Sequence, residues 1–143
     1  ASSETNPSGV QGICPDGWHV PSDAEWTELE NYVSSQIQYV CGGDKKCIAK
    51  ALASEVGWNS STYNYNCDVG NNPSANNATG FSARPAGYYN GDYRHFGNSA
   101  AFWSATQNYS YNANYRDLSY DYANVYRDDN FKDLGSSVRC VRN

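Results

Sequence analysis

Two apolar, β-prone segments in the last third of the chain enclose a long stretch of very different character. Residues 102–106 (FWSAT) are apolar and rich in β-formers, and residues 138–141 (VRCV) alternate as a half-buried strand does. Between them, residues 108–133 are mostly Tyr, Asn, Asp and Ser. We therefore predict core strands at both ends of this stretch, and short strands inside it at residues 113–119 and 124–127.

The composition of residues 108–133 favours a contact surface over an ordinary polar loop. Tyr offers a large, rigid, amphipathic area at low entropic cost, while Asn, Ser and Asp supply adaptable hydrogen bonds, as in antibody paratopes. A merely solvated surface would need only Asn and Ser, whereas clustered exposed aromatics mark contacts. A second Tyr-bearing loop at residues 88–96 adds two candidates. The candidate ligand-binding residues are Asn108, Tyr109, Tyr111, Asn112, Asn114, Asp117, Ser119, Tyr120, Asp121, Tyr122, Asn124, Tyr126, Asp128, Asp129, Asn130, Phe131, Asp133, Tyr93 and His95.

Length and charge limit the remaining possibilities. With 143 residues the chain is long enough for one domain with a hydrophobic core, which we place at residues 13–143 after an extended or frayed lead-in at residues 1–12. A net charge of −5 without any basic run argues against nucleic acid. No apolar run reaches membrane-spanning length, so no membrane insertion is expected. Because the chain opens at Ala1 without a signal peptide, we expect a processed or excised piece.

Five cysteines in a chain rich in Tyr, Asn, Gly and Ser predict an exported protein, at the cell surface or outside the cell. They form no CxxC motif or zinc-type spacing, so no metal site is predicted. Pairing does not follow from sequence alone. The favoured disulfide joins the first and last elements through Cys14 and Cys140, while Cys41 has two candidate partners, Cys67 and Cys47. The odd number leaves at least one thiol unpaired or bonded to another chain.

The first half of the chain predicts helices. A short strand at residues 18–20 is followed by Ser22 and Glu25, which form an S-x-x-E capping box at the start of a helix. A second helix is predicted at residues 46–55, followed by Trp58 as a core anchor. The buried face of the first helix is predicted to contain Trp26, Leu29, Tyr32 and Val33.

The second half predicts strands and loops. Residues 59–79 are a long segment of Asn, Ser and Gly, and a loop of that length in a compact domain is usually functional or disordered. A short strand is predicted at residues 80–83. Helices early and strands late predict an α+β domain with a small antiparallel sheet late in the chain and long loops.

Several motifs closely resemble the Fibrobacter succinogenes major paralogous domain. They are, in order, ICPDGWHVPSDAEWTEL, GWNSST, ATGFSARPAGYY, FWSAT and SSVRCVRN, and the resemblance covers residues 9–143. It implies a C-type-lectin-like fold of the type shared with formylglycine-generating enzymes, with GWHVPSDAEW as its first strand and helix. It also implies an exported bacterial surface protein, notably of Bacteroidetes, with N-terminal residues that are cut away or supplied elsewhere.

Some proteins of this fold are variable products of diversity-generating retroelements, in which a reverse transcriptase rewrites adenine positions of the gene. Their varied residues lie on the solvent face of the last strands and loops, which the resemblance places at residues 108–133. The residue types agree, because Asp, Tyr and Ser are each one base change from an AAY codon for Asn. The invariant scaffold that the resemblance implies consists of Trp103, Arg116, Leu118, Val125, Arg127, Val138 and Cys140.

We do not expect an enzyme, because catalysis needs a placed nucleophile, base or metal. His19 lies in a strand motif and is expected to be structural, and no Ser or Cys motif accompanies His95. Formylglycine-generating relatives use a close pair of late cysteines, where this chain has only Cys140. Three glutamates of the first helix are interpreted as a cap and a solvated face: Glu25, Glu28 and Glu30.

Calcium-dependent sugar binding is a minor alternative. The carbohydrate-binding C-type lectins use Glu-Pro-Asn or Gln-Pro-Asp with Trp-Asn-Asp, and none of these motifs occurs. The late aspartates do not have the spacing of a known calcium loop: Asp117, Asp121, Asp128, Asp129 and Asp133. No cofactor is therefore predicted, with calcium as the remaining candidate.

The sequence thus predicts a monomeric, surface-displayed domain that binds a protein or glycan on another cell or a host surface. Strand alternation should point only some of its Tyr residues outward, and Tyr115 belongs either to the surface or to the frame. The alternative is a structural module of a surface adhesin or pilus tip, which would use the same face as a fixed interface. The expected anchors are Tyr109, Tyr111, Tyr115, Tyr120, Tyr122 and Tyr126.

Overall fold

A computed structural model describes residues 2–143 and confirms the α+β class. The α-helices are α1 (Asp23–Ser35) and α2 (Ala49–Leu52), and single 3₁₀ turns lie at Ile37–Tyr39 and Pro73–Ala75. The strands are β1 (Trp18–His19), β2 (Tyr88–Tyr89), β3 (Tyr93–Arg94), β4 (Ser99–Tyr109), β5 (Asn112–Ser119), β6 (Tyr126–Phe131) and β7 (Val141–Arg142). Within the described residues, no helix combines the length and apolar character needed to cross a bilayer.

The main sheet is antiparallel, with the strand order β4–β5–β6. Phe102 of β4 lies opposite Arg116 of β5, which in turn lies opposite Arg127 of β6. Side chains alternate between the two faces of a strand, so this row marks one face and the intervening residues mark the other. The face marked by Arg116 packs against α1 and is called the inner face. The opposite, outer face is not covered by α1.

The core lies between the inner face and the two helices, and aromatic rings form its centre. The ring centroids of Trp26 and Phe102 are 5.7 Å apart, and Phe81 lies 6.0 Å from Trp26 and 5.9 Å from Phe102. Trp58 is buried in the same cluster, which confirms it as a core anchor. Burial of apolar area on this scale is the main source of stability in such a domain.

A buried arginine joins the sheet to α1. Arg116 is fully buried, and its guanidinium pairs with Asp23 at 2.6 Å and with Glu30, while Thr27 accepts a further hydrogen bond at 3.1 Å. Arg127 adds a two-pronged contact to Asp23. Burial by itself would raise the pKa of Asp23, but hydrogen bonds from Arg127 and Arg116 hold it below its usual value. Glu30 is therefore a structural ion-pair partner, and its interpretation as part of a solvated face was wrong.

The capping box at the start of α1 is confirmed, and it also organises the chain ends. The Ser22 hydroxyl accepts a hydrogen bond from Glu25 N–H, and Ser22 N–H donates to the Glu25 carboxylate at 2.9 Å. The same carboxylate accepts from the backbone N–H of Ser8 and lies 2.6 Å from His19 Nε2. On its other side, His19 Nδ1 lies 2.6 Å from the Asn143 side chain. His19 thus has the structural role that was predicted.

The favoured disulfide is present, and Cys41 is paired with one of its two candidate partners. Cys14 is bonded to Cys140, and Cys41 is bonded to Cys67 rather than to Cys47. Cys47 is the free thiol among the described residues. The first bridge packs in a small apolar cluster with Val20 and Ala105, on β4.

Several predicted elements differ from the structure. The helix predicted at residues 46–55 is only Ala49–Leu52, because the next residues leave the helical conformation: Ala53 bridges Ala83, and Ser54 N–H donates to Ala83 O. Residues 80–83 form that single bridge instead of a strand. The closing strand is Val141–Arg142, paired with β1. Tyr32, which was predicted to face the core, is 59% exposed at the edge of α1.

The lead-in packs along the domain. Ser3 N–H donates to Ala105 O at 2.9 Å, which places the start of the chain beside β4. Ser8 is buried, and its hydroxyl donates to Val20 O. Val10 packs in the apolar cluster around the Cys14 bridge.

Candidate functional site

A cavity of about 510 Å³ opens on the outer face of the main sheet. Adjacent strands supply its floor, and the register explains how: Ser99 lies opposite Ser119, and Ala101 lies opposite Asp117. The floor residues are Ser99, Ala101, Tyr115, Asp117, Ser119 and Asn130. Residues from β4, β5 and β6 are therefore brought together because they occupy outer-face positions of neighbouring strands.

One wall of the cavity is the hairpin formed by β2 and β3. Tyr88 and His95 line the cavity from this side. The hairpin is attached to the segment after β6 by two hydrogen bonds between Tyr89 and Gly135, of 2.7 and 2.9 Å. Its first strand begins next to Gly87, whose φ is +67° and where an added Cβ would lie 2.0 Å from Arg94 O. Only glycine fits there, so the position of this wall depends on that residue.

The opposite wall begins where β5 ends, and the long loop at residues 59–79 supports it. Tyr120 and Asp121 line the cavity there. Tyr120 O accepts from Gly70 N–H at 2.6 Å, and the Tyr120 hydroxyl lies 2.8 Å from the Thr62 hydroxyl. A Cβ at Gly70 would lie 2.7 Å from Tyr120 O, so the loop backbone lies too close to this wall for any residue other than glycine. The loop is therefore a support for the candidate site.

Two carboxylates face the cavity. The Ser99 hydroxyl donates to Asp117 Oδ1, and the Ser119 hydroxyl donates to Asp121 Oδ1 at 2.8 Å. Burial raises the pKa of Asp117, although the Ser99 hydrogen bond and the charge of His95 oppose this shift. The Asp117 charge is therefore held in a partly desolvated position.

Aromatic rings supply most of the remaining surface. The Tyr88 and His95 rings stack with centroids 5.3 Å apart, and the Tyr115 ring meets Trp103 edge-on at 6.1 Å. Burial raises the pKa of Tyr115 to about 12, and the charges of Asp117 and Asp128 add to this effect. The Tyr115 hydroxyl therefore stays protonated and neutral at physiological pH. Tyr115 belongs to both the frame and the cavity floor.

The structure brings only part of the predicted site together. The cavity is lined by six of the predicted residues, namely His95, Asp117, Ser119, Tyr120, Asp121 and Asn130. Tyr126 and Asp128 lie on the same outer face of β6, since they pair with Asp117 and Tyr115. Tyr122 and Asn124 lie in the loop that follows Tyr120, and Asn124 lies 3.7 Å from the Cys47 thiol.

The other predicted residues lie elsewhere. Asn108 and Asn112 both donate to the Asp129 carboxylate on the inner-face side of the sheet, and Asn114 is buried there. Exposed residues at the far end of the sheet and in the neighbouring turns are Tyr109, Tyr111, Phe131 and Asp133, and Tyr93 is exposed on the hairpin. The single face that the composition suggested is therefore divided by strand alternation and by the β4–β5 turn.

Sequence reasoning missed about half of the cavity lining. The missed residues are Tyr88, Asn98, Ser99, Ala101, Leu134 and Ser136. Ser99 and Ala101 belong to a run of small and apolar residues directly before Phe102, a signal that could have extended the strand predicted at residues 102–106 toward the N-terminus. The others come from turns whose positions depend on tertiary contacts.

The described part of the chain contains no group of three or more His, Cys, Asp or Glu side chains placed to hold a metal ion. Asp129 and Asp117 lie on opposite faces of the sheet, since their partners on the neighbouring strands do. The groups that the cavity offers to a ligand are hydroxyl, amide and carboxylate groups and aromatic rings.

The fold and this site define a small α+β domain with two disulfides, in which α1 packs on the inner face of the main sheet and a polar, aromatic cavity opens on the outer face. The chain belongs to the Fibrobacter succinogenes major domain family, whose model matches residues 4–142. Comparison with curated proteins and with solved structures finds no match. The C-type-lectin-like fold and diversification by a retroelement stay predictions of the resemblance.

Proposed function

We propose that this domain is displayed on the surface of a bacterial cell and binds a protein or glycan through the outer face of its sheet. The observation that carries the proposal is the cavity of about 510 Å³, a volume within the range of small-ligand sites. Rigid tyrosines and short polar side chains line it together, which is the mixture that antibody paratopes use. The two disulfides are compatible with an exported protein.

The separation of scaffold from surface supports this proposal. The residues that hold the sheet to α1, such as Arg116 and Phe102, lie on the inner face. The side chains of Tyr126 and Asp128 lie on the outer face and are exposed. Substitutions on the outer face therefore change the ligand contacts while leaving the core intact, which is what a diversified binding surface requires.

We propose binding without catalysis. His95 is the imidazole of the cavity, and its ring stacks on Tyr88. Among residues 2–143, no Ser or Cys side chain forms a hydrogen bond with His95 that would make it the base of a nucleophile.

Paired tyrosine substitutions test the proposal. Purified domain would be screened on protein and glycan arrays, and the best ligand titrated against Tyr88→Ala/Tyr126→Ala and against Tyr109→Ala/Tyr111→Ala. The first pair alters the outer face, whereas the second removes two more exposed rings at the far end of the sheet. We expect about tenfold or greater loss of affinity for the first pair only, with both variants keeping the wild-type melting temperature. An equal or larger loss of affinity in the second pair would show that the ligand binds at the far end of the sheet.

The exposed far end supports a second candidate function, that of a structural module. Tyr109, Tyr111 and Phe131 are 69%, 79% and 60% exposed there, and such a group suits a fixed interface with a neighbouring domain. Sedimentation of the isolated domain distinguishes the two functions. A structural module should self-associate, and Tyr109→Ala/Tyr111→Ala should restore the monomer, whereas a binding domain should be monomeric with or without this change.

A further inference from the structure

The charged side chains of the cavity are mainly acidic. Asp117 and Asp121 place two carboxylates in it, and no Lys or Arg of the described residues lines it. The ion pairs of residues 2–143 involve His19, Arg116 and Arg127 with other acids, so neither cavity carboxylate has a cationic partner within ion-pair distance. The two carboxylates therefore face the cavity without an ion-pair partner, and His95 is the one basic side chain among its lining residues.

Asp117 shows the imbalance most clearly. Its Oδ1 accepts a hydrogen bond from Ser99, whereas its Oδ2 accepts none from any described residue. Burial opposes its ionisation and raises its pKa. The free oxygen of this carboxylate can accept a hydrogen bond from a ligand, and a bound cation would offset the cost of holding a partly desolvated charge.

The walls supply a second type of attraction for cations. Tyr88, Tyr115 and Tyr120 line the same cavity, and the faces of aromatic rings attract ammonium and guanidinium groups. The ring of Tyr115 is held by its edge-on contact with Trp103, so it is preorganised rather than ordered by the ligand. Carboxylates and aromatic rings around one cavity favour cationic groups and disfavour phosphates, sulfates and acidic sugars.

We propose that the cavity binds an ammonium or guanidinium group of the ligand between the carboxylates of Asp117 and Asp121 and the surrounding tyrosine rings. The inference rests on the proposed function and narrows it to ligands that carry an organic cation. Such a group comes either from a Lys or Arg side chain of a protein partner or from a free polyamine. The Ser99 and Ser119 hydroxyls already bond one oxygen of each carboxylate, which orients both carboxylates before the ligand arrives.

Small probes test this inference without a known partner. The domain would be titrated, with chemical shifts of the cavity residues as the readout, with the N-acetyl methylamides of lysine and arginine and with spermidine. The matched neutral probes are the corresponding derivatives of norleucine and citrulline. We expect shifts at Asp117, Asp121 and Tyr120 with the cationic probes only. Tighter binding of spermidine than of both amino-acid probes would identify a polyamine site, and the reverse would identify a site for a protein side chain.

Charge-removing variants complete the test. Asp117→Asn and Asp121→Asn should each weaken binding of the cationic probe by about tenfold, since hydrogen bonds to charged groups are the stronger class. Glu55→Gln, an equal change of charge at an exposed position outside the cavity, should leave binding unchanged. Because burial disfavours the ionised form of Asp117, Asp117→Asn should keep or raise the melting temperature of the domain. The same variant should bind the cationic probe more weakly.

The inference and the proposed function fail in different ways. If neutral and cationic probes bind equally, or if Asp117→Asn binds the cation as well as wild type does, the cation site is refuted. Array binding that is sensitive to Tyr88→Ala/Tyr126→Ala would then still support the proposed function. If neither array ligands nor probes respond to changes in the cavity, both proposals are wrong.

Discussion

At the scale of single residues, His19 lies between two side-chain oxygens that favour its protonated form. The Glu25 carboxylate on one side and the Asn143 side-chain oxygen on the other each lie 2.6 Å from a ring nitrogen, and an imidazolium can donate to both. The hydrogen bond to Glu25 raises the pKa of His19, against the opposing effect of burial, while the bonds from Ser22 and His19 help to keep the pKa of Glu25 below its usual value despite burial. This pair therefore makes the stability of the domain depend on pH.

The sign of this dependence is set by the two shifts. His19 binds its proton more tightly in the folded state, so its contribution is fully present below its usual pKa of 6.5 and is lost as pH rises through the raised pKa. Glu25 contributes above its usual pKa of 4.5 and loses its contribution as pH falls through the lowered one. We expect His19→Gln to cost about 1–2 kcal/mol of unfolding free energy between these values, and less at higher pH. Denaturant unfolding across the pH range measures the difference.

The other histidine provides the control for this prediction. His95 is exposed and has a φ of +60°, so His95→Asn keeps a residue that tolerates the left-handed conformation. Because the side chain of His95 forms no hydrogen bond with a carboxylate of the described residues, the pH curve of His95→Asn should stay closer to the wild-type curve than that of His19→Gln does. A His19→Gln curve parallel to wild type across the range would mean that only packing was lost.

These residues also show what sequence can predict at this scale. Glu25 was predicted as a cap because its partner Ser22 lies three positions away in a recognisable motif. Glu30 was assigned to a solvated face because its partner Arg116 lies 86 residues later, and no local pattern links them. The sheet register that places Arg116 against α1 exists only in the folded chain.

At the scale of elements, the hairpin of β2 and β3 determines whether the cavity has a wall. The hairpin is short, and its attachment depends on two Tyr89–Gly135 hydrogen bonds and on the close approach at Gly87. The sequence indicated only a Tyr-bearing loop here, because two-residue strands lack the periodicity that predicts an element. The α2 prediction failed for a related reason, since hydrogen bonds to Ala83 override the helical preference of the residues after Leu52.

A glycine pair tests the role of the hairpin. Gly87→Ala should cost on the order of 3–4 kcal/mol, because it combines a left-handed conformation with a collision at Arg94 O. Gly91→Ala has a similar φ of +72° but meets no atom within 4 Å, so only the conformational cost of about 1–2 kcal/mol applies. Hydrogen exchange at the Tyr89 amide reports the attachment directly. We expect faster exchange and weaker ligand binding for Gly87→Ala than for Gly91→Ala. Equal exchange rates and equal affinities of the two variants would show that the hairpin accommodates the added methyl group at residue 87 while keeping its position.

At the scale of the whole molecule, the two disulfides have different tasks. Cys14–Cys140 closes a loop of 126 residues and ties the chain ends together, whereas Cys41–Cys67 closes one of 26 residues and holds the long loop at residues 59–79. That loop contacts Tyr120 at the cavity wall. The sequence predicted the first bridge and left the second open between Cys67 and Cys47, because both lie within reach of Cys41 along the chain. The loop that the second bridge holds, whose length suggested function or disorder, supports the site.

Removing each bridge should therefore separate stability from binding. In the chain-entropy view, loss of Cys14–Cys140 costs about 5 kcal/mol and loss of Cys41–Cys67 about 3.5 kcal/mol. Both double Cys→Ala variants are made in a Cys47→Ser background, so that the free thiol cannot form a new bridge. Affinities are measured below the melting temperatures of both variants. The variant without Cys14–Cys140 should bind ligand as the background does, because that bridge lies in the cluster with Val20 and Ala105. The variant without Cys41–Cys67 should bind more weakly, because Tyr120 of the cavity wall would be less ordered. If the ranking of affinities followed the ranking of stabilities instead, the loop would not support the cavity, and the binding surface would depend on the stability of the fold alone.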